Sequence, residues 1–343
     1  MDHDFLPHVW QLDLTYACNA SCIHCRNSGQ PGSTSVPFKA WKAWLEPIFL
    51  RLGPALQWIT LGGGEPLLLG NDLVYFASWL RRYSPFVMVM TNGLLLDKLM
   101  ANRLERGGVN RIQVSLESGL AQEHDAVRGA GSHAKALKAI RNCLEIGLPV
   151  AANTTLADQT PQGLETLADW LAEAKVQEWS VRQIMPLGAA KHREMPSLGE
   201  TRRQYGLVYG LAMARGLEIF SEDPLFWLHV PQNEWSPHWR GCHAGISYVY
   251  CAPDGQIYPC SMMLSVPLGK LPEVDFWQIW AKHPALLALR AREYSGCSDC
   301  RLKRVCGGCQ AVAGAGSLPL DGRPDPRCLV AKNRQTRSRG HVG

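Results

Sequence analysis

The chain has 343 residues, of which 46% are hydrophobic and 19% charged, and its formal net charge is +5 at pH 7. This composition is typical of a chain that buries a sizeable core and excludes a disordered protein. The first residues lack the basic and apolar segments of a secretory signal, and Arg51, Arg81 and Arg82 interrupt the most apolar stretches. We therefore expect a cytoplasmic protein without a membrane span. In that compartment, twelve cysteines indicate metal binding rather than a disulfide framework.

From residue 9 to about 215, short apolar runs alternate with longer amphipathic segments, which is the pattern of repeated β/α units. Strands are predicted over residues 9–16, 58–63, 87–92, 111–117, 150–156 and 179–185. Helices are predicted between them, for example over 37–52 and 132–147. Six such units predict an α/β fold, a partial (β/α)6 TIM-type barrel over residues 1–215, whose chemistry lies on the loops after the strands.

After residue 216 the alternation ends, and tryptophan, proline and cysteine become frequent, as at Trp235, Pro237 and Trp239. We predict a second, small cysteine-rich domain over residues 216–330, in which metal clusters supply stability that a small core does not. The basic, polar segment 331–343 is predicted to be a disordered tail, and nucleic-acid binding by it is not favoured.

Three cysteines, Cys18, Cys22 and Cys25, follow the first predicted strand directly. Thiolates hold iron-sulfur clusters, and three of them leave one iron of a 4Fe-4S cluster open to an outside ligand. A zinc site or a set of structural thiols is the alternative for these cysteines alone. Their spacing, CNASCIHC, resembles the motif of the radical S-adenosylmethionine (SAM) superfamily. The resemblance implies that the open iron binds SAM, which reduction cleaves to a 5'-deoxyadenosyl radical.

Further segments resemble the SAM-binding motifs of this superfamily, in the same order along the chain. The segment GGGEP at 62–66 implies that Glu65 receives the SAM amino group, and its glycines permit close approach of a ligand. The segment HDAVRG at 124–129 implies that Arg128 pairs with the SAM carboxylate. Each residue alone also suits an ordinary turn or capping role. The resemblance assigns SAM contacts to His24, Gly63, Gly64, Glu65, Pro66, Asn92, Ser115, Glu117, Arg128 and Asn153.

A second group of cysteines resembles the SPASM extension of radical SAM enzymes, although two residues rather than the more usual three separate Cys306 from Cys309. The resemblance implies two auxiliary clusters, hence three 4Fe-4S clusters and SAM in all. It assigns Cys242, Cys260 and Cys309 to the first auxiliary cluster, and Cys297, Cys300, Cys306 and Cys328 to the second. Cys251 is expected to be the fourth ligand of the first auxiliary cluster; if it is not, one iron is open to substrate. A zinc ribbon is the alternative for the paired cysteines, and Cys143 is interpreted as buried packing.

Radical SAM enzymes with this extension include peptide maturases, sulfatase-activating enzymes and enzymes that act on sugars or haem precursors. In the sulfatase-activating group an aspartate follows the cysteine of the Gly-x4-Cys motif, whereas this chain has Ser261, which disfavours formylglycine formation. Our leading hypothesis is oxidative modification or crosslinking of a peptide or protein. The alternative is oxidation or rearrangement of a sugar, aminoglycoside or tetrapyrrole. A non-catalytic electron carrier is disfavoured because it needs no SAM site.

The resemblance also implies a flavodoxin or ferredoxin-type reductant and activity only under anaerobic conditions. The first cysteine motif begins within twenty residues of the start, so we expect no leader-binding domain before the barrel. A peptide substrate would then be recognised at the barrel mouth or through a separate leader-peptide-binding protein. No residue stands out as a substrate base, although Arg182, Gln183, His192 and Glu194 lie at or after the sixth predicted strand.

Overall fold

A computed structural model describes residues 5–32, 35–230, 241–293, 297, 300–302, 306–313 and 325–328. Its strands are β1 (Val9–Asp13), β2 (Trp58–Gly62), β3 (Val87–Thr91), β4 (Arg111–Ser115), β5 (Val150–Leu156), β6 (Glu178–Gln183), β7 (Glu218–Phe220), β8 (Tyr248–Cys251), β9 (Gln256–Tyr258) and β10 (Gly269–Lys270). Its α-helices are α1 (Phe38–Leu52), α2 (Asn71–Leu80), α3 (Lys98–Arg106), α4 (Ala121–Arg128), α5 (Ser132–Leu144), α6 (Pro161–Glu173), α7 (Leu198–Arg215), α8 (Phe276–Lys282), α9 (Pro284–Ala291) and α10 (Gln310–Ala313).

The described strands form one sheet in the order β10-β9-β8-β1-β2-β3-β4-β5-β6-β7. Strands β1 to β7 run parallel to their neighbours, with a helix after each of the first six. Parallel strands need such crossovers, which place helices against the sheet and bury it. The predicted α/β class and partial barrel are confirmed, and all six predicted strands are present.

The sheet also contains strands that the sequence pattern did not predict. The three-residue β7 extends one edge by pairing with β6, and β8 extends the other edge by pairing in parallel with β1. A three-residue strand is too short to show a period in the sequence. The sheet therefore continues past residue 215, the predicted end of the barrel. Residues 331–343, the predicted tail, and the tryptophans at 235 and 239 lie outside the described residues.

The two faces of β1 carry different side chains, because successive residues of a strand point to opposite faces. Trp10 packs on the outer face, with ring centroids 5.3 Å from Phe49 of α1 and 5.0 Å from Phe276 of α8. Gln11 and Asp13 point the other way, into the barrel, where Asp13 is completely buried. The apolar core thus lies between the sheet and its helices, and the polar side chains line the interior.

Helix ends and buried residues follow local chemistry. Thr160 caps α6 by accepting the amide hydrogen of Gly163, and Ser197 and Glu200 form a capping box at the start of α7.

Cys143 is fully buried in α5, which confirms its interpretation as packing, and burial raises its pKa to about 12. None of the helices in the described segments combines the length and apolar character that crossing a bilayer requires.

Candidate active site

A cavity opens where the barrel strands end, and many of the predicted site residues line it. Those that line it are Cys18, Cys22, His24, Cys25, Gly63, Gly64, Asn92, Ser115, Arg128 and Asn153. Glu65, Pro66 and Glu117 are buried behind its wall. Because parallel strands end at one edge of the sheet, residues from distant parts of the sequence meet there.

The cysteine loop after β1 presents three thiols to this cavity. Cys18 is exposed, while Cys22 and Cys25 are half-buried. Two side-chain N–H groups approach the sulfurs, with Asn92 Nδ2 3.9 Å from Cys18 Sγ and Arg128 Nη1 3.7 Å from Cys22 Sγ. Burial raises the pKa of Cys22, and the Arg128 guanidinium opposes that rise. Three thiols on one loop, two of them near N–H donors, are a donor set that suits an iron-sulfur cluster with one open iron.

The glycines after β2 allow this loop to pack closely. Gly64 donates to the carbonyl of Thr15 at 2.6 Å, and a Cβ at Gly64 would lie 2.1 Å from the carbonyl oxygen of Ala17. Gly63 has a φ of +131°, and a Cβ there would lie 2.3 Å from the carbonyl oxygen of Thr15. Any side chain at either position would therefore displace the cysteine loop.

Glu65 faces the protein rather than the cavity. Its carboxylate accepts hydrogen bonds from Leu67 N at 3.1 Å, Thr91 Oγ1 at 2.7 Å and Asn92 N at 2.8 Å. It has no exposed surface, and burial raises its pKa although these donors oppose the rise. Glu65 thus holds the loop after β3, including Asn92, against the loop after β2. The atoms of this motif that face the cavity belong to Gly63 and Gly64.

Glu117, at the end of β4, forms a buried ion pair with Arg128. The Arg128 Nη2 and Nε atoms lie 2.5 and 2.7 Å from Glu117 Oε1, and His24 Nε2 lies 3.5 Å from the same oxygen. Burial opposes ionisation of Glu117, but the charge of Arg128 and the hydrogen bond from His24 outweigh it and lower the pKa to about 2. Glu117 therefore orients Arg128 and His24, and these two residues reach the cavity.

His124 lies behind this pair and is completely buried. Its Nδ1 accepts the amide hydrogen of Glu117 at 3.1 Å, so the ring carries its proton on Nε2. Burial lowers the pKa of His124 to about 4, which keeps the ring neutral at physiological pH.

A second part of the cavity wall consists of residues from β6, from the segment after β7 and from the cysteine-rich region. Arg182 Nη1 lies 3.5 Å from Glu222 Oε2, and Ser261 and Met262 lie beside this pair in the lining. Glu222 is the sole carboxylate among the described residues that line the cavity. The sequence did not single it out, because it follows the unpredicted strand β7. Arg182 and Gln183 line the cavity, whereas His192 and Glu194 are exposed and are not part of its described lining.

Arg26 connects the two walls. It follows Cys25, and its guanidinium lies 2.7 Å from Asp13 Oδ2 and 3.2 Å from the carbonyl oxygen of Ser261. It also lies over the ring of Tyr250, 5.1 Å from the centroid. This half-buried cation ties the first cysteine loop to the segment that follows Cys260.

The C-terminal cysteines form two neighbourhoods. Burial and the nearby Cys242 thiol raise the pKa of Cys260 to about 11, and Cys242 is also among the neighbours of Cys309. Burial raises the pKa of Cys306 to about 12, with Cys328 and Cys297 adding to the rise. Within the described segments, no three histidine, cysteine or acidic side chains are placed to share a single metal ion. Two thiol-rich neighbourhoods suit clusters, which thiolates hold around several irons.

A buried arginine fastens this region to the barrel. Arg327 is 1% exposed, and its guanidinium lies 2.5 Å from Asp223 Oδ2 and 2.9 Å from Asp325 Oδ2. Asp325 Oδ2 also accepts the amide hydrogen of Cys309 at 3.1 Å. Tyr205 of α7 donates to Asp223 at 2.6 Å. The sequence offered no signal for this cluster, because its members come from four separate segments.

Comparisons with known proteins agree with this arrangement. A family model described as the radical SAM superfamily matches residues 12–171, and SPASM, described as an iron-sulfur cluster-binding domain, matches residues 242–309. The chain is a radical SAM enzyme with a SPASM domain. The two matches contain the first cysteine loop and most of the C-terminal cysteines, and they imply iron-sulfur clusters and SAM as cofactors. When bound, such a cluster supplies the electron that cleaves SAM.

Several curated relatives span nearly the whole of this radical SAM enzyme. The mycofactocin maturase MftC of Mycobacterium ulcerans (strain Agy99) is 29% identical over 338 residues, covering 94% of this chain and 88% of the relative. The AdoMet-dependent heme synthase of Methanosarcina barkeri is 24% identical over 327 residues, covering 90% and 92%.

Among solved structures, Streptococcus suis SuiB bound to S-adenosylmethionine superposes with a TM-score of 0.79 at 20% identity. The match covers 94% of this chain and 77% of SuiB. A structure of SuiB bound to the precursor peptide SuiA also matches with a TM-score of 0.79. These likenesses show the fold.

Proposed function

We propose that this radical SAM enzyme oxidatively modifies or crosslinks a peptide or protein. The observation that carries the proposal is the two-sided cavity, with the cysteine loop on one wall and Arg182, Glu222 and Ser261 on the other. A substrate between the walls lies between the SAM site and the segment of Cys260. Similarity to mycofactocin maturases, and to SuiB, which has been solved with its precursor peptide, supports a peptide substrate.

We assign the SAM site to the cavity-lining members of the predicted set. Gly63 and Gly64 supply backbone atoms for the amino group, Ser115 and Asn153 supply polar groups for the ribose, and His24 supplies a ring for the adenine. Arg128, held by Glu117, supplies a cation for the SAM carboxylate. Glu65, Pro66 and Glu117 act indirectly, by positioning those residues.

The residues on the second wall suit the oxidative half of the reaction. Abstraction of a hydrogen atom leaves a substrate radical, and its further oxidation releases one electron and one proton. Glu222 is the residue that would accept this proton, because it is the sole carboxylate among the described residues that line the cavity. Arg182, whose Nη1 lies 3.5 Å from Glu222 Oε2, positions this carboxylate. An auxiliary cluster held at Cys260, two residues before Met262 of the same wall, would accept the electron.

The proposed cofactors are SAM and three 4Fe-4S clusters. Cys18, Cys22 and Cys25 hold the first, Cys242, Cys260 and Cys309 belong to the first auxiliary cluster, and Cys297, Cys300, Cys306 and Cys328 hold the second. A flavodoxin or ferredoxin-type reductant, a separate leader-peptide-binding protein and a cytoplasmic location complete the proposal.

Iron analysis after anaerobic reconstitution tests the cluster count. We expect about twelve irons per chain, and about eight after combined replacement of Cys18, Cys22 and Cys25 by alanine, with loss of 5'-deoxyadenosine formation. Cys143→Ala is the matched control, because this thiol is buried in α5 away from the cavity lining. About four irons together with bound zinc would contradict the auxiliary clusters.

A second candidate is oxidation or rearrangement of a tetrapyrrole or another small molecule, which similarity to AdoMet-dependent heme synthases supports. The two are separated by incubating the reconstituted enzyme, SAM and dithionite with deuterated substrates of each kind. The peptide probes are short synthetic peptides, and the tetrapyrrole probe is a haem precursor. We expect deuterium in 5'-deoxyadenosine and a mass loss of hydrogen from the peptide alone. Transfer from the tetrapyrrole alone would reverse the order of the two candidates.

A further inference from the structure

Cys251 lies on the outer face of the sheet. It ends β8, where its register partners are Leu12 of β1 and Ile257 of β9, and all three residues have no exposed surface. Paired residues of neighbouring strands point to the same face. Leu12 shares its face with Trp10, which packs against α1 and α8. The Cys251 thiol therefore points into the apolar layer between the sheet and these helices.

The neighbouring side chains of β8 point into the barrel. Tyr250 donates to Asp13 Oδ2 at 2.9 Å, and Tyr248 donates to Gln11 Oε1 at 2.5 Å. These acceptors belong to the interior face of β1. Because successive side chains of a strand point to opposite faces of the sheet, the Cys251 side chain points away from Gln11 and Asp13.

The segment of Cys260 lies on the interior face. Arg26 donates to the carbonyl oxygen of Ser261 and lies over the Tyr250 ring, so residue 261 is on the Tyr250 side of the sheet. Ser261 and Met262 line the cavity, as do Arg182 and Glu222. The sheet thus separates the Cys251 thiol from the segment that carries Cys260.

Eleven of the twelve cysteines are candidates for cluster ligands, and their number can be compared with the number of ligands that three clusters need. Three lie on the loop after β1, four are assigned to the second auxiliary cluster, and Cys143 is buried in α5. Cys242, Cys260 and Cys309 remain for the first auxiliary site, together with Cys251. If Cys251 faces the apolar layer, the chain supplies that site with three thiolates.

We infer that Cys251 is not a ligand of the first auxiliary cluster, and that one iron of this cluster is open to a ligand entering from the cavity. The inference rests on the proposed cluster assignment and departs from the expectation that Cys251 closes the cluster. A substrate carrying a thiol, carboxylate or amine could bind the open iron directly. Binding there would hold the substrate between SAM and the auxiliary site.

Iron analysis of reconstituted full-length variants tests the ligand assignment. We expect Cys251→Ala and the larger Cys251→Val to keep about twelve irons and the wild-type EPR spectrum of the reduced clusters. Cys260→Ala is the matched comparison and is expected to fall to about eight irons. Loss of about four irons from both Cys251 variants would overturn the inference and leave the proposed reaction standing. Retention of all irons by Cys260→Ala would instead overturn the proposed cluster assignment.

Binding of 13C-labelled cyanide tests the open iron. The probe is added to the variant in which Cys18, Cys22 and Cys25 are all alanine, because the open iron of the first cluster is then absent. We expect 13C hyperfine coupling in the EPR spectrum of the reduced auxiliary clusters, unchanged when Cys251→Ala is added. A spectrum without coupling at saturating cyanide would show that the first auxiliary cluster is closed.

Discussion

The two cysteine-bearing regions are assembled in different ways. In the barrel, Cys18, Cys22 and Cys25 share one loop, which backbone hydrogen bonds fasten to the loop after β2. In the C-terminal region the cysteines are spread from 242 to 328, and tertiary contacts gather them, as when Cys242 N donates to Cys306 O at 3.1 Å. The first site is thus a local motif presented by a scaffold. The second site forms only when tertiary contacts bring its separate segments together against the barrel.

The largest expected effect on stability comes from the buried cation of the C-terminal region, Arg327. Replacing Arg327 by Met leaves the carboxylates of Asp223 and Asp325 buried without their cation. We expect the free energy of unfolding to fall by about 3–5 kcal/mol, measured by urea denaturation. Because Asp325 also holds the amide of Cys309, we expect auxiliary iron to be lost while the first cluster is retained.

Arg128→Met is the reciprocal variant, since Arg128 is the cation beside the first cysteine loop and its loss leaves the buried Glu117 carboxylate unpaired. We expect a loss of similar size, about 3–5 kcal/mol, but with iron lost from the first site. If both variants lost all of their iron, the two regions would form one cooperative unit. The two cysteine-bearing sites would then not be independent of each other.

A smaller, pH-dependent effect arises at His124 of the barrel. Burial lowers the pKa of His124 to about 4, so below pH 6.5 the unfolded chain binds a proton that the folded chain does not. Stability is therefore unaffected above pH 6.5 and falls below it, by about 2 kcal/mol at pH 5. Glu117, with a pKa of about 2, stays ionised in the folded chain over this range and adds only a small decline near pH 5, where the unfolded carboxyl begins to bind protons. Urea unfolding from pH 7 to pH 5 should show the decline, and His124→Asn should reduce it. Burial also lowers the pKa values of His133 and His283, which leaves a smaller slope in the variant.

A still smaller effect concerns the reduction potential of the first cluster. Asn92 Nδ2 lies 3.9 Å from Cys18 Sγ, and an N–H donor stabilises the more negative, reduced cluster. We expect Asn92→Ala to lower the potential by about 40 mV, which corresponds to about 1 kcal/mol. EPR-monitored redox titration measures it, with Asn102→Ala on the exposed surface of α3 as control. An unchanged potential would mean that the donor does not act on the cluster.

The smallest expected effect sets the baseline. Lys98 Nζ lies 2.9 Å from Glu145 Oε2, and both side chains are more than half exposed. Solvent screens such a pair, so we expect Lys98→Ala to leave unfolding, iron content and SAM cleavage unchanged. A clear fall in the free energy of unfolding would contradict the expectation that solvent screens this exposed ion pair.

Much of the fold, and of the cavity lining around Cys18, Cys22 and Cys25, was predictable from residue patterns. Strands β1 to β6 show apolar runs long enough to recognise, and the cysteine and glycine motifs are short and local. The short strands β7 to β10 carry no such period, so their places at the two edges of the sheet were not predicted. Glu222 was missed for the same reason, since its position depends on β7.

The amino-acid sequence by itself determined the chemistry, because the order and spacing of Cys18, Cys22, Cys25 and the GGGEP segment identify the superfamily. Only the tertiary structure decided which carboxylates face the cavity. Glu65 and Glu117 are held by donors behind the wall, whereas Glu222 lines it. Tertiary structure also decided which face Cys251 occupies. The physical reason is that side-chain direction follows strand register, and a register is set by pairing between segments far apart in sequence.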